Sequence, residues 1–243
     1  LSYQNSNTTD PAITTRSVSI TVNDGDGGSA SAIVTVGVTG VNDAPTLSAT
    51  GNNVTYTENG SAVDLFSNVS VSTVEAGQSI TQLSLVVSNV SNGSSEQLQI
   101  DGTTIALISG NSGTTTANGL SYSVSVATGT VTLTLSKTGG ISASAAATAI
   151  DGITYRNTSE NPTGPARTVT LMSISDNGGT SNGGVDTTAL SIVSTITVVA
   201  VNDSPTISAP ASITVTEDLA KAITGISFAD VDADSNKVTV TLS

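Results

Sequence analysis

From residue 16 to residue 24 the side chains alternate, with Val18, Ile20 and Val22 separated by Ser and Thr. A period of two is the mark of a β-strand with one face buried. The same alternation returns in AIVTVGVTGV at 32–41, in TLSAT and NVTYTE after residue 45, and in SITQLSLVVSNV at 79–90. LSYQN at the start and KVTVTLS at the end also read as strands. Two hairpins are predicted at 98–107 and 121–136, because Asp101-Gly102 and Thr128-Gly129 suit turns that need positive φ. One stretch breaks the alternation. ISASAAATAIDGI at 141–153 is alanine-rich and predicts a short helix, with Ile141, Ala145 and Ala149 on one face and Ser142 or Ser144 as its N-cap.

The pattern repeats over a long distance. The segment from Tyr155 to the glycines after Asp176 parallels the segment from Tyr3 to the glycines after Asp24. Asn157 matches Asn5, Pro162 matches Pro11 and Arg167 matches Arg16, at an offset of 151–152 residues. VNDAP at 41–45 returns as VNDSP at 201–205, and PTISAPASITVTED then parallels PTLSATGNNVTYTEN, with Glu217 in the place of Glu58. Such self-similarity marks a tandem array. It divides the chain into the end of one module at 1–43, a whole module at 44–203 and the beginning of a third at 204–243. The chain opens on Leu1 and closes inside an alternating run, so it is expected to be a piece of a longer one. Strands joined by turns, with one short helix, predict an all-β fold of antiparallel sandwiches with Greek-key connections. A parallel β-helix would repeat every few tens of residues instead.

Composition narrows the chemistry. Apolar residues make up 37% and aromatics 2%, so the core is expected to consist of Val, Ile, Leu and Ala, with Tyr3 and Tyr155 at core or corner positions. Nineteen acidic residues against six basic ones give a net charge of −13, which argues against a nucleic-acid partner. That charge suits divalent cations, or simply keeps a secreted protein soluble. There is no cysteine to staple the fold. With neither His nor Cys, Ser-His and Cys-His nucleophiles are impossible within this chain, and the few aromatics argue against a carboxylate-paired sugar cleft. No enzyme is expected. No apolar run reaches the length of a membrane span.

The acidic residues cluster. Asn42-Asp43 and Asn202-Asp203 sit at the two joints. In FADVDADSNKV, Asp230, Asp232 and Asp234 alternate: in a strand they would share one face about 7 Å apart, and in a loop they can converge on a cation. Glu58, Glu217, Asp24 and Asp176 stand singly at the ends of alternating runs. Ca²⁺ takes six to eight oxygen ligands from such groups. Asn, Asp and Pro are also ordinary turn residues. Arg16 and Arg167 fix a carboxylate or lie on a solvated edge, and the solvated edge is the simpler expectation.

The combination resembles a bacterial cadherin-like repeat of giant surface adhesins of the RTX type. VNDAP and VNDSP are similar to that family's linker, TEN and TED to its early Glu, DADSN at 232–236 to its Asp-x-Asp element, and VNDGDGG and ISDNGG to its late Asp. The resemblance implies Ca²⁺ between successive modules. At the second joint it implies Glu58, Asn202, Asp203, Asp232, Asp234 and Asn236 as ligands, with Asp230 beside them. At the first it implies Asn42, Asp43 and Asp176. Asp24 and Glu217 would serve joints further along the array. The linker's first Asp is Gly40 or Ala200 here. Opposite Asp230, Asp232 and Asp234 the central module has Ser72, Val74 and Ala76, with Glu75 nearby, which favours the second joint.

The implied function is a calcium-binding extender repeat of a secreted or cell-surface bacterial adhesin in adhesion and biofilm formation. Its immediate partners would be neighbouring repeats, and other domains would engage a host, glycan or abiotic surface. The alternative is a module that itself binds carbohydrate or a surface, through the hairpins at 98–136.

Overall fold

The computed structural model describes residues 1–233 and 238–241. The first piece contributes one antiparallel hairpin, β1 (Arg16–Asn23) and β2 (Ser29–Val36), with Arg16 opposite Val36 and Asn23 opposite Ser29. The central module begins with β3 (Thr46–Gly51), β4 (Val54–Thr57), β5 (Val63–Asp64), β6 (Phe66–Ser72) and β7 (Ile80–Ser88). Two hairpins follow, β8 (Glu96–Ile100) with β9 (Thr103–Ala106), and, after the short β10 (Ser112–Thr114), β11 (Ser121–Ala127) with β12 (Thr130–Ile141). Helix α1 (Ala143–Asp151) leads to β13 (Thr154–Asn157), β14 (Arg167–Asp176) and β15 (Thr187–Val199). The last piece holds β16 (Thr206–Ser208) paired with β17 (Ser227–Ala229).

The central module is mostly β, built on a seven-stranded sheet in the order β10-β11-β12-β7-β14-β15-β4 and a four-stranded sheet in the order β5-β13-β8-β9. β3 pairs with β6 separately. Neighbouring strands run antiparallel, except that β4 lies parallel to β15. One hydrophobic cluster joins the sheets. Leu83, Leu85 and Val87 of β7, Leu133 and Leu135 of β12 and Leu171 of β14 belong to it, as do Leu98, Ile105 and Tyr155 of the smaller sheet. Leu and Ile dominate the cluster; burying each such side chain contributes about 1.5–3 kcal/mol. Tyr56 and Tyr155 meet edge to face with centroids 5.7 Å apart, and the Tyr56 hydroxyl donates to the Asn157 carbonyl at 2.6 Å.

The local signals read from sequence hold. Asp101 and Gly102 have φ of 50° and 78°, and Thr128 and Gly129 have 48° and 73°, as two-residue hairpin turns require. Ser142 caps α1, its hydroxyl accepting the Ala145 N–H at 3.1 Å, but the buried face is Ala146, Ala149 and Ile150 rather than the expected Ile141, Ala145 and Ala149, because Ile141 ends β12 and Ala145 is only half-buried.

Four expectations fail for one reason. Residues 1–5, 213–216 and 238–241 form no strand, and Tyr3 is 45% exposed where Tyr155 is fully buried. Alternation makes a segment fit for a sheet, but a strand exists only with a partner. β4 has β15 beside it, whereas 213–216 has no neighbouring strand among the described residues. Likewise no second sheet covers β1 and β2 among the described residues, so Tyr3, which lies beside Val18, Ile20, Val34 and Val36 of that hairpin, is left open on its other side.

Candidate metal centre

The parallel pairing of β4 with β15 builds the second joint. It sets Glu58, directly after β4, beside the chain leaving β15. The Glu58 N–H donates to the Val199 carbonyl at 2.9 Å, and the Val201 N–H donates to Glu58 Oε2 at 2.7 Å. Glu58 is buried, and its other oxygen, Oε1, has no donor. Two residues on, the Asp203 N–H donates to Asp232 Oδ2 at 2.8 Å, tying the linker to the loop after β17. One oxygen of each of Asp203, Asp230 and Asp232 is also buried without a partner.

Carboxylate oxygens of Glu58, Glu160 and Asp203 lie within 4.8 Å of one another, so this acidic group is placed to hold a metal ion. The spacing is inside the span of two oxygens across one Ca²⁺, roughly 5 Å. The neighbouring Asp232 carboxylate pushes Asp230 above the usual carboxylate range, while the Asp203 N–H holds Asp232 below it.

Glu160 was not foreseen. It lies in the 158–166 loop between β13 and β14, and the repeat carried a faint signal of it: an acidic residue stands just ahead of the proline in both copies, as Asp10 before Pro11 and as Glu160 near Pro162. Asn202 is exposed and donates its side-chain amide to the Asp203 carbonyl, which leaves its Oδ1 uncommitted. Asp234 and Asn236 lie outside the described residues.

The first joint is assembled from different residues to the same plan. Asn42 donates its side-chain amide to Asp176 Oδ1 at 3.1 Å and to the Val185 carbonyl at 2.6 Å, and the Val185 N–H returns a bond to the Asn42 carbonyl at 2.9 Å. Asp176 therefore does reach its own module's N-terminal end. A Cβ on Gly178 would stand 1.9 Å from Asn42 Oδ1, so only glycine admits this seat. The Asp43 N–H donates to Glu75 Oε1 at 2.7 Å, and Oδ2 of both Asp43 and Asp176 is buried without a partner. Glu75 thus takes the part that Asp232 plays at the other joint. It reaches that place through Val74, whose φ of 69° turns the loop in a way a β-branched residue rarely adopts.

Asp24 and Glu217 lie away from both joints. Asp24, fully exposed, accepts the Asp26 and Gly28 N–H groups at 2.9 Å, and these bonds hold it below the usual carboxylate range. Glu217 is an exposed turn residue.

The loop bearing Glu160 is held by a buried clamp. Arg167 was expected on a solvated edge, yet its side chain and that of Glu96 are both fully buried. Arg167 Nη2 lies 2.9 Å from Glu96 Oε1 and Nε 3.0 Å from Oε2, a bidentate pair. The guanidinium also donates to the Thr163 and Pro165 carbonyls, four and two residues back, at 2.8 and 2.7 Å. Arg16 makes the same two bonds to Ala12 and Thr14, at 3.1 and 2.9 Å, so holding the preceding loop is common to both copies; among the described residues only Arg167 is also ion-paired, with Glu96. Burial alone would raise the Glu96 carboxyl. Arg167, the Asn92 and Ser91 N–H groups and the Tyr155 hydroxyl outweigh it and hold Glu96 below its ordinary value. Burial and the Glu96 charge push Tyr155 far up.

Comparison with protein-family models, with curated proteins and with solved structures finds no match in any of the three. No helix among the described residues is long and apolar enough to cross a membrane.

Proposed function

We propose that the chain is a calcium-stiffened structural repeat of a secreted or cell-surface bacterial adhesin, in which the joints at 41–45 and 201–205 bind Ca²⁺ and fix the angle between successive modules. The observation that carries the reading is the distribution of buried carboxylate oxygens without a donor. All six among the described residues belong to the joints: Asp43 and Asp176 at the first, and Glu58, Asp203, Asp230 and Asp232 at the second. A polar atom shut off from water without a partner is unfavourable, and more so when charged. Oxygen-only ligand sets of this kind suit Ca²⁺ rather than zinc, which favours nitrogen and sulfur. At the second joint Glu58, Glu160, Asp203 and Asp232 would be the protein ligands, with Asp230 adjoining. At the first they would be Asp43, Glu75 and Asp176, with Asn42 fixing Asp176.

The topology favours an Ig- or cadherin-like Greek key. The first edge of the module divides between sheets, β3 going to β6 and β4 to β15, while β7-β14-β15 and β5-β13-β8 form the two layers. The role is mechanical rather than catalytic, and the immediate partners are neighbouring repeats. Small-angle scattering and limited proteolysis of the chain, with Ca²⁺ and with EGTA, test the proposal. Chelation is expected to broaden the distance distribution and open cleavage at 41–45 and 201–205. Identical scattering and cleavage in both conditions would sink it.

A further inference from the structure

The outer face of the four-stranded sheet carries a polar cleft of about 350 Å³. Its floor is set by strand register. Gln97 of β8 lies opposite Arg156 of β13, and Gln99 lies between Thr154 of β13 and Thr104 of β9. The wall is the 59–62 loop, turned back by the Gly60 N–H donating to the Thr57 carbonyl at 2.9 Å.

Two features of this cleft are not explained by folding. Thr154 Oγ1 is buried and has no hydrogen-bond partner, although it stands in a row of polar groups. Arg156, one of only six basic residues in a chain of net charge −13, makes no ion pair among the described residues. The lining contains no acidic residue. Asp64, opposite Thr154 on β5, lies outside it.

We propose that this cleft binds a carboxylate-bearing sugar unit, with Arg156 taking the carboxylate and Thr154, Thr104, Gln97 and Gln99 taking the hydroxyls. A single guanidinium matches one carboxylate bidentately. Hydroxyl and primary amide side chains both donate and accept, as sugar hydroxyls do. The volume falls in the range of small-ligand sites. No aromatic ring lines the cleft to stack on a sugar face, so the affinity rests on polar contacts and is expected in the millimolar range. The cleft shares no residue with the candidate cation ligands, so its test is independent of what the joints bind.

The test is an amide NMR titration of the whole chain with galacturonate, with galactose and acetate as separate arms, on wild type and on Arg156→Gln. Arg156 is exposed and outside the core, so the variant is expected to keep the native spectrum. Saturable shifts at Thr104, Thr154 and Arg156 with galacturonate are expected, at least about tenfold weaker with galactose, with acetate and in the variant. No saturable shift, equal binding of galactose or acetate, or an undiminished response in Arg156→Gln would each overturn the assignment.

Discussion

Glu75 receives the backbone N–H of Asp43 at 2.7 Å, the bond that Asp232 receives from Asp203 at 2.8 Å at the other joint. The two joints thereby share this one bond despite the Ser, Val and Ala that stand where the later module has aspartates, while close approach of three carboxylates is found at the second. Under the calcium reading, Glu75→Ala is expected to weaken binding at the first joint by about tenfold or more, since a hydrogen bond to a charged group is worth about 1.5–3 kcal/mol. The second joint should be unaffected. Terbium luminescence with competing Ca²⁺, on Glu75→Ala and on a Glu58→Gln reference, checks both halves of that statement.

Glu160→Gln should act at the second joint alone. Glu160 is exposed and is not part of the core cluster, so folding is expected to be unchanged. A Ca²⁺ titration should show weaker binding, by about tenfold, with an unaltered thermal midpoint in EGTA. Equal calcium affinity in variant and wild type would remove Glu160 from the ligand set.

Arg167→Met leaves the Glu96 carboxylate buried without its counter-charge. Breaking a buried pair in this way costs about 3–5 kcal/mol, which urea unfolding in EGTA would read directly. Because Arg167 also fixes the Thr163 and Pro165 carbonyls, amide exchange in the 158–166 loop should quicken even under conditions where the module stays folded.

The same pair predicts an acid limb. Glu96 is held below its unfolded value of about 4.3. The stability it confers is therefore present above that pH and is lost as pH falls through the lower folded value. The stability gap between wild type and Glu96→Gln should stay constant above about pH 5 and close below about pH 4. A gap independent of pH down to that range would contradict the buried ionised pair.

Gly178→Ala tests the seat of Asn42. The added methyl must displace the Asn42 amide from Asp176 and Val185, loosening the first joint while leaving the core intact. Faster proteolysis confined to 41–45, followed by mass spectrometry, is the expected result.

The parts of the fold readable from sequence are those settled by neighbours in the chain. Asp101-Gly102, Thr128-Gly129 and the Ser142 cap each depend on a few adjacent residues, and each forms where expected. Glu58, Asp43, Asp203 and Asp176 were visible because they recur, and Asp230 and Asp232 because they alternate. What escaped depends on distant pairing. Glu58 meets Val201 across 143 residues, and Arg167 meets Glu96 across 71. An arginine at the start of an alternating run looks solvated until the acid beneath it is known. Glu160 carries only the faint signal of an acid ahead of the repeated proline, since its place is fixed by the clamp and by its loop's approach to the next piece, where Asn161 donates to the Val231 carbonyl at 3.3 Å.

The most direct test of the calcium reading is an amide NMR titration of the chain with Ca²⁺ up to about 10 mM, beyond the weak affinities of extracellular calcium modules. The account predicts saturable, EGTA-reversible shifts concentrated at Asp43, Glu75 and Asp176 and at Glu58, Val201, Asp203 and Asp232. Shifts absent from these residues, or spread evenly over the acidic surface, would contradict it.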